Sequence, residues 1–289
     1  NPQQQAAVVH EGSPLLIVAG AGSGKTAVLT RRIAYLLHNR GVAPWQILAI
    51  TFTNKAAAEM KERVGQLVGP EAERMWVATF HSVCVRILRQ QAQLVPGLNT
   101  NFTIYDSDDS RRLLGMIAKD FNLDLKKFTP RTLANGISNL KNELIGPETA
   151  LANAERTHNP FETTVAKVYV EYQRRLRQSN ALDFDDLIGE VVRIFKEHPQ
   201  VTDYYRRRFR HVLVDEYQDT NHAQYELIHT LVGDGPDAPE LAVVGDSDQS
   251  IYAFRGATIR NIEEFERDYP NATTIMLEQN YRSTQNILG

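Results

Sequence analysis

The run Ala19-Gly20-Ala21-Gly22-Ser23-Gly24-Lys25-Thr26 leaves the chain around it little freedom of fold. It follows directly on an apolar stretch, residues 15–19, and leads directly into apolar residues at helical spacing over 26–38. Glycines at a strand-to-helix turn let the backbone curl until successive N–H groups and the helix amino end face one point, which suits a phosphate. Lys25 would neutralise the terminal phosphates and Thr26 can ligate magnesium. The general pattern has Gly where this chain has Ala19, a residue still small enough for the turn. Ala21, Gly22, Ser23, Gly24, Lys25, Thr26 and Ala27 are the expected phosphate contacts; a chance glycine-rich turn is the alternative.

Further short apolar runs, at 47–52, 75–79, 211–215, 241–245 and 273–277, read as buried strands. With a second helical pattern over 56–68, the opening reads strand, helix, strand, helix, strand, which predicts a parallel sheet wrapped by helices with ligands at the carboxyl ends of its strands. Between about 86 and 205 the strand signals nearly vanish, and helical patterns broken by Pro96-Gly97, Pro130, Gly146-Pro147 and Asn159-Pro160 take over. The expected organisation is therefore a nucleotide-binding α/β domain over 1–85 and 206–289, with an all-helical domain inserted over 86–205. Within the insert, Leu182, Leu187, Ile188, Val191, Val192, Ile194 and Phe195 form a broad apolar face expected to be core.

The expected strand at 211–215 ends in Asp215-Glu216, and an acidic pair at the tip of a buried strand is costly unless it faces a cation or water. Asp215 would hold magnesium, directly or through water, and Glu216 would orient and deprotonate the attacking water. An acidic pair at a helix start is the bland alternative. Asn54-Lys55 is followed by Ala56-Ala57, so the Asn-Lys-x-Asp pattern of guanine binders is missing. ATP and Mg2+ are the expected ligands.

The formal charge of −3 over 289 residues gives no broad basic field, so any nucleic-acid site must be local. Arginines cluster at 174, 175 and 177 and again at 206, 207, 208 and 210, where a solvated face is the ordinary reading. No apolar run reaches the roughly 18 residues of a membrane span, and no signal peptide is visible, so the chain reads as cytoplasmic. The single cysteine, Cys84, excludes an internal disulfide and reads as a buried thiol.

Beyond the glycine turn the chain carries ordered blocks: Asn1-Pro2-Gln3-Gln4-Gln5, Ala49-Ile50-Thr51-Phe52-Thr53-Asn54-Lys55, Ala78-Thr79-Phe80-His81-Ser82, Leu182-Asp183-Phe184-Asp185-Asp186-Leu187 and Val214-Asp215-Glu216-Tyr217-Gln218-Asp219-Thr220-Asn221. Two more follow, running from Val244 through Asp248-Gln249-Ser250-Ile251-Tyr252-Ala253-Phe254-Arg255 to Ala257, and from Leu277 through Tyr281-Arg282 to Thr284. In this order they resemble the superfamily 1 UvrD/PcrA/Rep DNA helicases over most of the length.

That resemblance implies a RecA-like P-loop domain and several roles. Gln4 would read adenine, Gln249 would sense the terminal phosphate, Arg282 would contact it and Tyr281 would stack on the base. Phe52, Tyr252 and Phe254 would stack on DNA bases, a contact that does not choose among sequences. Phe254 stands where the family commonly has tryptophan, and its stacking surface is smaller. For Phe52, an ordinary core aromatic remains the alternative. Thr53, Thr79 and His81 would meet the DNA backbone, although each could equally be a helix cap, and Asn54 would also contact DNA. Arg255 would couple the DNA and phosphate sides, or form a plain salt bridge.

The resemblance further implies a DNA-stimulated ATPase that moves 3′ to 5′ on single-stranded DNA and unwinds duplex DNA in repair, with repair-protein partners unidentified. The family's second RecA-like lobe is absent from this sequence, whose ends, Asn1 and Gly289, both look cut. Two rivals remain: the helicase subunit of a recombination nuclease, and a binding module without turnover.

Overall fold

The computed structural model describes residues 1–20, 24–246 and 256–277. Helix α1 (Pro2–Val9) precedes strand β1 (Leu15–Ala19), and α2 (Lys25–His38), β2 (Ile47–Thr51), α3 (Asn54–Val68), β3 (Trp76–Thr79) and α4 (Phe80–Gln91) follow. The middle of the chain is β4 (Thr103–Tyr105), α5 (Ser107–Asp120), α6 (Pro130–Asn142), α7 (Pro147–Arg156), α8 (Pro160–Gln178), β5 (Ala181–Asp183), α9 (Phe184–Glu197) and α10 (Pro199–Arg208). The last part is β6 (His211–Val214), α11 (His222–Val232), β7 (Glu240–Asp246), α12 (Gly256–Asp268) and β8 (Thr273–Leu277). The described residues fall into two compact units, one within 1–83, 200–220 and 228–289 and the other within 84–199 and 221–227.

The first unit is an α/β layer structure. Its six strands lie in the order β3-β2-β6-β7-β1-β8, and every pairing is parallel. Strands β1, β2 and β6 are buried at every position, as a parallel sheet covered by helices on both faces requires. All six strands expected from the sequence occur, each within one residue of its expected ends. Since the strands run one way, the carboxyl ends of β1, β2, β3, β6 and β7 share one edge. Register fixes the neighbours there: Ala19 sits beside Asp246, and Thr51 beside Thr79.

One buried arginine fastens the amino-terminal helix to this unit. Arg32 of α2 is 2% exposed, and its Nη1 donates to the carbonyls of Ala7, Val8 and His10 at 3.0, 3.3 and 2.8 Å. These are carbonyls at the end of α1 that would otherwise lack partners. Burial pulls the guanidinium down to about 10, against the pull of Glu240.

The second unit is helical, around a core that includes Leu114, Ile117, Leu133, Tyr169, Tyr172 and Leu176. The seven apolar residues expected as core from Leu182 to Phe195 are all buried. Sequence gave almost no sign of the two-stranded parallel pair β4-β5, whose strands are only three residues each. The Leu182–Leu187 block does internal work. Asp183 caps α9, and Lys141, itself buried, donates to Asp183 Oδ2 at 2.7 Å and lies 2.9 Å from Asp186 Oδ1. Tyr172 and Arg177 close on the same carboxylates.

The arginine clusters correct the expectation of solvated faces. Arg175 joins Glu171 and Asp120, and Arg177 joins Asp186 and Glu190. Arg206 donates to the Thr230 and Leu231 carbonyls at the end of α11, and Arg210 to those of Arg206 and Ala238. Arg208 lies 5.1 Å above the Trp76 ring. Carbonyls and carboxylates hold the guanidiniums of Arg174, Arg175, Arg177, Arg206 and Arg210, and of the seven only Arg174 and Arg207 are exposed. Cys84 is buried and free, as expected, and burial pushes its thiol up.

Candidate nucleotide and nucleic-acid site

Gly24 ends the glycine turn with φ +80°, a left-handed conformation that glycine adopts without strain. It is the N-cap of α2, whose amino end follows the carboxyl end of β1. Gln4 stands beside this turn: a Cβ on Gly24 would lie 3.4 Å from Gln4 Nε2. Asn1 holds α1 in place locally, its Oδ1 accepting from the Gln3 and Gln4 amides at 2.9 and 3.2 Å.

Lys25 and the acidic pair meet. Lys25 Nζ is 2.9 Å from Glu216 Oε1, although β7 separates their parent strands in the sheet. Asp215 is 7% exposed, and its Oδ1 accepts from the Glu216 amide at 2.8 Å. Burial, then the neighbouring Glu216 charge, pushes the Asp215 carboxyl above its ordinary value. Burial would do the same to Glu216, but hydrogen bonds from Lys25 and Gln218 outweigh it and hold Glu216 low. Burial disfavours the Lys25 ammonium too, yet Glu216 and then Asp215 and Asp246 hold it charged and raised. Glu216 adopts φ +52°, ψ 43°, a left-handed conformation costing a non-glycine residue on the order of 1 kcal/mol or more, of the kind that collects at working sites.

The expected DNA-facing residues lie on the same edge, over β2 and β3. Phe52 is half-buried, edge-on to Phe80 with ring centroids 5.4 Å apart, so it is neither a full core aromatic nor a free one. Thr53 caps α3, accepting from Ala56 N at 3.0 Å, and Asn54 beside it is exposed. Thr79 Oγ1 donates to Ser82 Oγ at 3.0 Å and accepts from Ser82 N at 3.2 Å. The capping geometry weighed for both threonines is thus present. Burial pulls His81 down to about 4, so its ring is neutral at neutral pH.

Ala21, Gly22, Ser23, Gln249, Tyr252, Phe254, Arg255, Tyr281 and Arg282 lie outside the described residues. Thr26 and Ala27 are described, in the first turn of α2. Sequence reasoning assigned no role to Gln218, Asp246 or Asn261, which the structure joins to Glu216. Gln218 Nε2 donates to Glu216 Oε2 at 2.7 Å, and its Oε1 accepts from Asp246 N at 3.0 Å. Asn261 Nδ2 donates to the Gln218 and Thr220 carbonyls at 2.9 and 3.0 Å. The signal for Gln218 was its place two residues beyond the acid; Asn261, far along the chain, had none.

A parallel sheet whose first strand passes through a glycine turn to a lysine, with an acidic pair at the tip of the strand two places away, is the RecA-like core of helicases. The chain belongs to the UvrD/REP helicase N-terminal domain family, which matches residues 1–270. It is 71% identical to the ATP-dependent DNA helicase UvrD1 of Mycobacterium tuberculosis and 69% identical to that of Mycobacterium leprae, in both cases over all of this chain and 38% of the relative. Identity to the ATP-dependent DNA helicase PcrA of Staphylococcus aureus is 54%, over all of this chain and 39% of that protein. The chain thus spans less than half the length of these curated relatives.

Proposed function

We propose that this chain is the ATP- and DNA-binding core of a helicase of the UvrD/PcrA type, which hydrolyses ATP, moves 3′ to 5′ along single-stranded DNA and unwinds duplex DNA in repair. The observation that carries the reading is the Lys25–Glu216 contact at 2.9 Å with Asp215 beside it. A lysine at the amino end of α2 in contact with an acidic residue just beyond β6 supports one shared triphosphate site. In this reading the sheet is the first RecA-like lobe, and the helical unit is the domain inserted into it.

The chain's own groups divide the work. The turn from Ala21 to Ala27 and the amino end of α2 cradle the phosphates, Lys25 offsets their charge, and Gln4 reads the adenine. Glu216 takes a proton from the attacking water, and Gln249 and Arg282 face the terminal phosphate. Tyr281 stacks on the base. Phe52, Tyr252 and Phe254 stack on DNA bases, Thr53, Asn54, Thr79 and His81 meet the DNA backbone, and Arg255 lies between the two sites.

Magnesium fits this donor set: Thr26 and Asp215 offer hard oxygen ligands. Two protein oxygens would leave the rest of the coordination to water and phosphate oxygens. When bound, Mg2+ supplies charge neutralisation at the phosphates.

In a helicase of this type a second RecA-like lobe supplies a further arginine to the same site. An arginine of that kind is worth on the order of 10³ to 10⁵ in rate, so residues 1–289 alone bind ATP weakly and hydrolyse it very slowly. Repair-protein partners belong to the whole protein. Among the described residues no helix is long and apolar enough to cross a membrane.

The test is Lys25→Ala in the intact protein. Loss of nucleotide binding and of DNA-stimulated ATP turnover is expected; unchanged turnover overturns the phosphate assignment. Robust strand separation by residues 1–289 alone would defeat the two-lobe reading.

A further inference from the structure

Helix α1 is marginal on its own. It has 8 residues, below the length of about 12–15 at which isolated helices begin to hold in water, and Ala7 is its one buried residue. What fixes it lies at its end. Arg32, 2% exposed, brings Nη1 with its two N–H groups against three carbonyls there, those of Ala7, Val8 and His10. The guanidinium charge also stands at the negative pole of the helix.

The remainder of the guanidinium is poorly partnered. Nε is buried without a hydrogen bond, and Nη2 is 4.0 Å from Glu240. Glu240 is held without it: Arg40 donates to both of its oxygens, at 3.3 and 2.7 Å, and the Gly12 amide donates to Oε1 at 2.9 Å. Arg32 thus serves α1 first, and its loss leaves Glu240 paired.

Helix α1 carries Gln4 to the glycine turn. Gln4 is half-buried, and its Nε2 lies 3.4 Å from the place a Cβ on Gly24 would take. Gly24 directly precedes Lys25, so this amide lies beside the start of the proposed phosphate cradle. Along the helix, Gln4 is one turn from Ala7 and Val8, whose carbonyls Arg32 holds. Freed at that end, so short a helix shifts and takes Gln4 with it. An amide reads a base only when its donor and acceptor meet the base edge together, which tolerates little displacement.

We infer that Arg32 is a positioning residue for base recognition: by holding the carboxyl end of α1 it fixes Gln4 beside Gly24, and so sets how strongly the site prefers adenine to other bases. The inference rests on the helicase reading above, in which Gln4 meets the adenine, and names the residue that keeps Gln4 in place.

Arg32→Met in the intact protein removes the three hydrogen bonds and keeps an unbranched side chain in the buried space. DNA-stimulated turnover with ATP and with UTP, and the thermal midpoint, are measured for this variant, for Gln4→Ala and for the two combined. In Arg32→Met, KM for ATP should rise about three- to tenfold, the worth of one well-placed hydrogen bond, with kcat within about twofold of the parent and KM for UTP unchanged. The preference for ATP falls by the same factor. Because Arg32 acts through Gln4, the combined variant should be no worse for ATP than Gln4→Ala alone.

A merely structural role lowers turnover with both nucleotides alike and adds to the effect of Gln4→Ala. Either result overturns the inference, as does a parental preference for ATP in Arg32→Met. Should Arg32→Met lose its fold, Arg32→Lys decides by the same measures, because a single ammonium on a shorter stem does not span the three carbonyls. Gln4→Ala tests the underlying reading. If it keeps the parental preference for ATP, the adenine assignment fails and the inference falls with it; if it loses the preference while Arg32→Met keeps it, only the inference fails.

Discussion

The Lys25 ammonium and the Glu216 carboxylate, 2.9 Å apart, hold each other directly, so the group proposed to receive phosphate and the group proposed to activate water begin as partners. Their side chains are 23% and 33% exposed, and a pair so open to solvent contributes little to stability, with a median near 0–1 kcal/mol. The contact is therefore easily exchanged. On the proposed reading a triphosphate, with more negative charge than one carboxylate, would take Lys25 and release Glu216 Oε1 toward water.

Glu216→Gln should separate binding from chemistry. It removes the proton acceptor, and turnover should fall by about 10² to 10⁴, the usual contribution of a general base. It also removes the charge that competes for Lys25, so affinity for an ATP analogue should stay equal to the parent or tighten. Equilibrium titration with a fluorescent analogue checks this, and a loss of affinity matching that of Lys25→Ala would sink the exchange.

Phe52→Ala should weaken binding of single-stranded DNA and spare the nucleotide. The half-buried ring rests edge-on against Phe80 and keeps part of its surface free at the strand edge. Stacking on a base is worth about 1–3 kcal/mol, roughly five- to 150-fold in affinity. Fluorescence anisotropy with a labelled oligonucleotide reads the change, and Phe52→Trp should restore binding. Equal DNA affinity in Phe52→Ala and parent would return Phe52 to the core.

Sequence revealed the sheet because its strands are short apolar runs, those of β1, β2 and β6 buried at every position. It revealed Lys25 and Asp215-Glu216 because each follows a strand, where a parallel fold brings ligands. Other features left weaker traces. Strands β4 and β5 are too short to carry an alternation. Arg206 and Arg210 look like a solvated charge run, and only the fold brings helix carbonyls to them. Asn261 is distant in sequence from the turn it clamps, and Lys141 is distant from Asp183 and Asp186, so neither pairing has a local signature.

Stability should fall with acid in a window set by buried histidines. His211 Nδ1 lies 3.7 Å from Glu240, which favours the charged ring, yet burial outweighs it, and Arg40, Arg32 and Arg210 add to the burial, so the ring is pulled down to about 4. Folded His211 is thus neutral where the unfolded residue, near 6.5, takes a proton. The unfolded state binds the extra proton between those values, so stability drops as pH falls from about 6.5 to about 4, by up to roughly 1.4 kcal/mol per pH unit, and levels off below. His81, also pulled to about 4, acts in the same direction. Urea unfolding across this range should show a shallower slope in His211→Gln; an unchanged slope shows that His211 is not a contributor.

Lys141→Met should destabilise the helical unit far more than the loss of a surface charge. Lys141 is buried between Asp183 and Asp186, at 2.7 and 2.9 Å, and burial would strip its proton were those two carboxylates not there to hold it. Methionine fills nearly the same volume but leaves two buried carboxylates without their shared cation. Removing one partner of such a buried pair costs about 3–5 kcal/mol, since the remaining charge has no water to turn to. Asp186 keeps Arg177 at 3.4 Å, whereas Asp183 keeps only the Tyr172 hydroxyl at 2.8 Å and its helix-capping bond, so Asp183 bears most of the loss. Adding Asp183→Asn to Lys141→Met should therefore recover part of the stability, because asparagine still caps α9 and carries no charge. A double variant no more stable than Lys141→Met in chemical unfolding would mean that the lysine acts through packing alone.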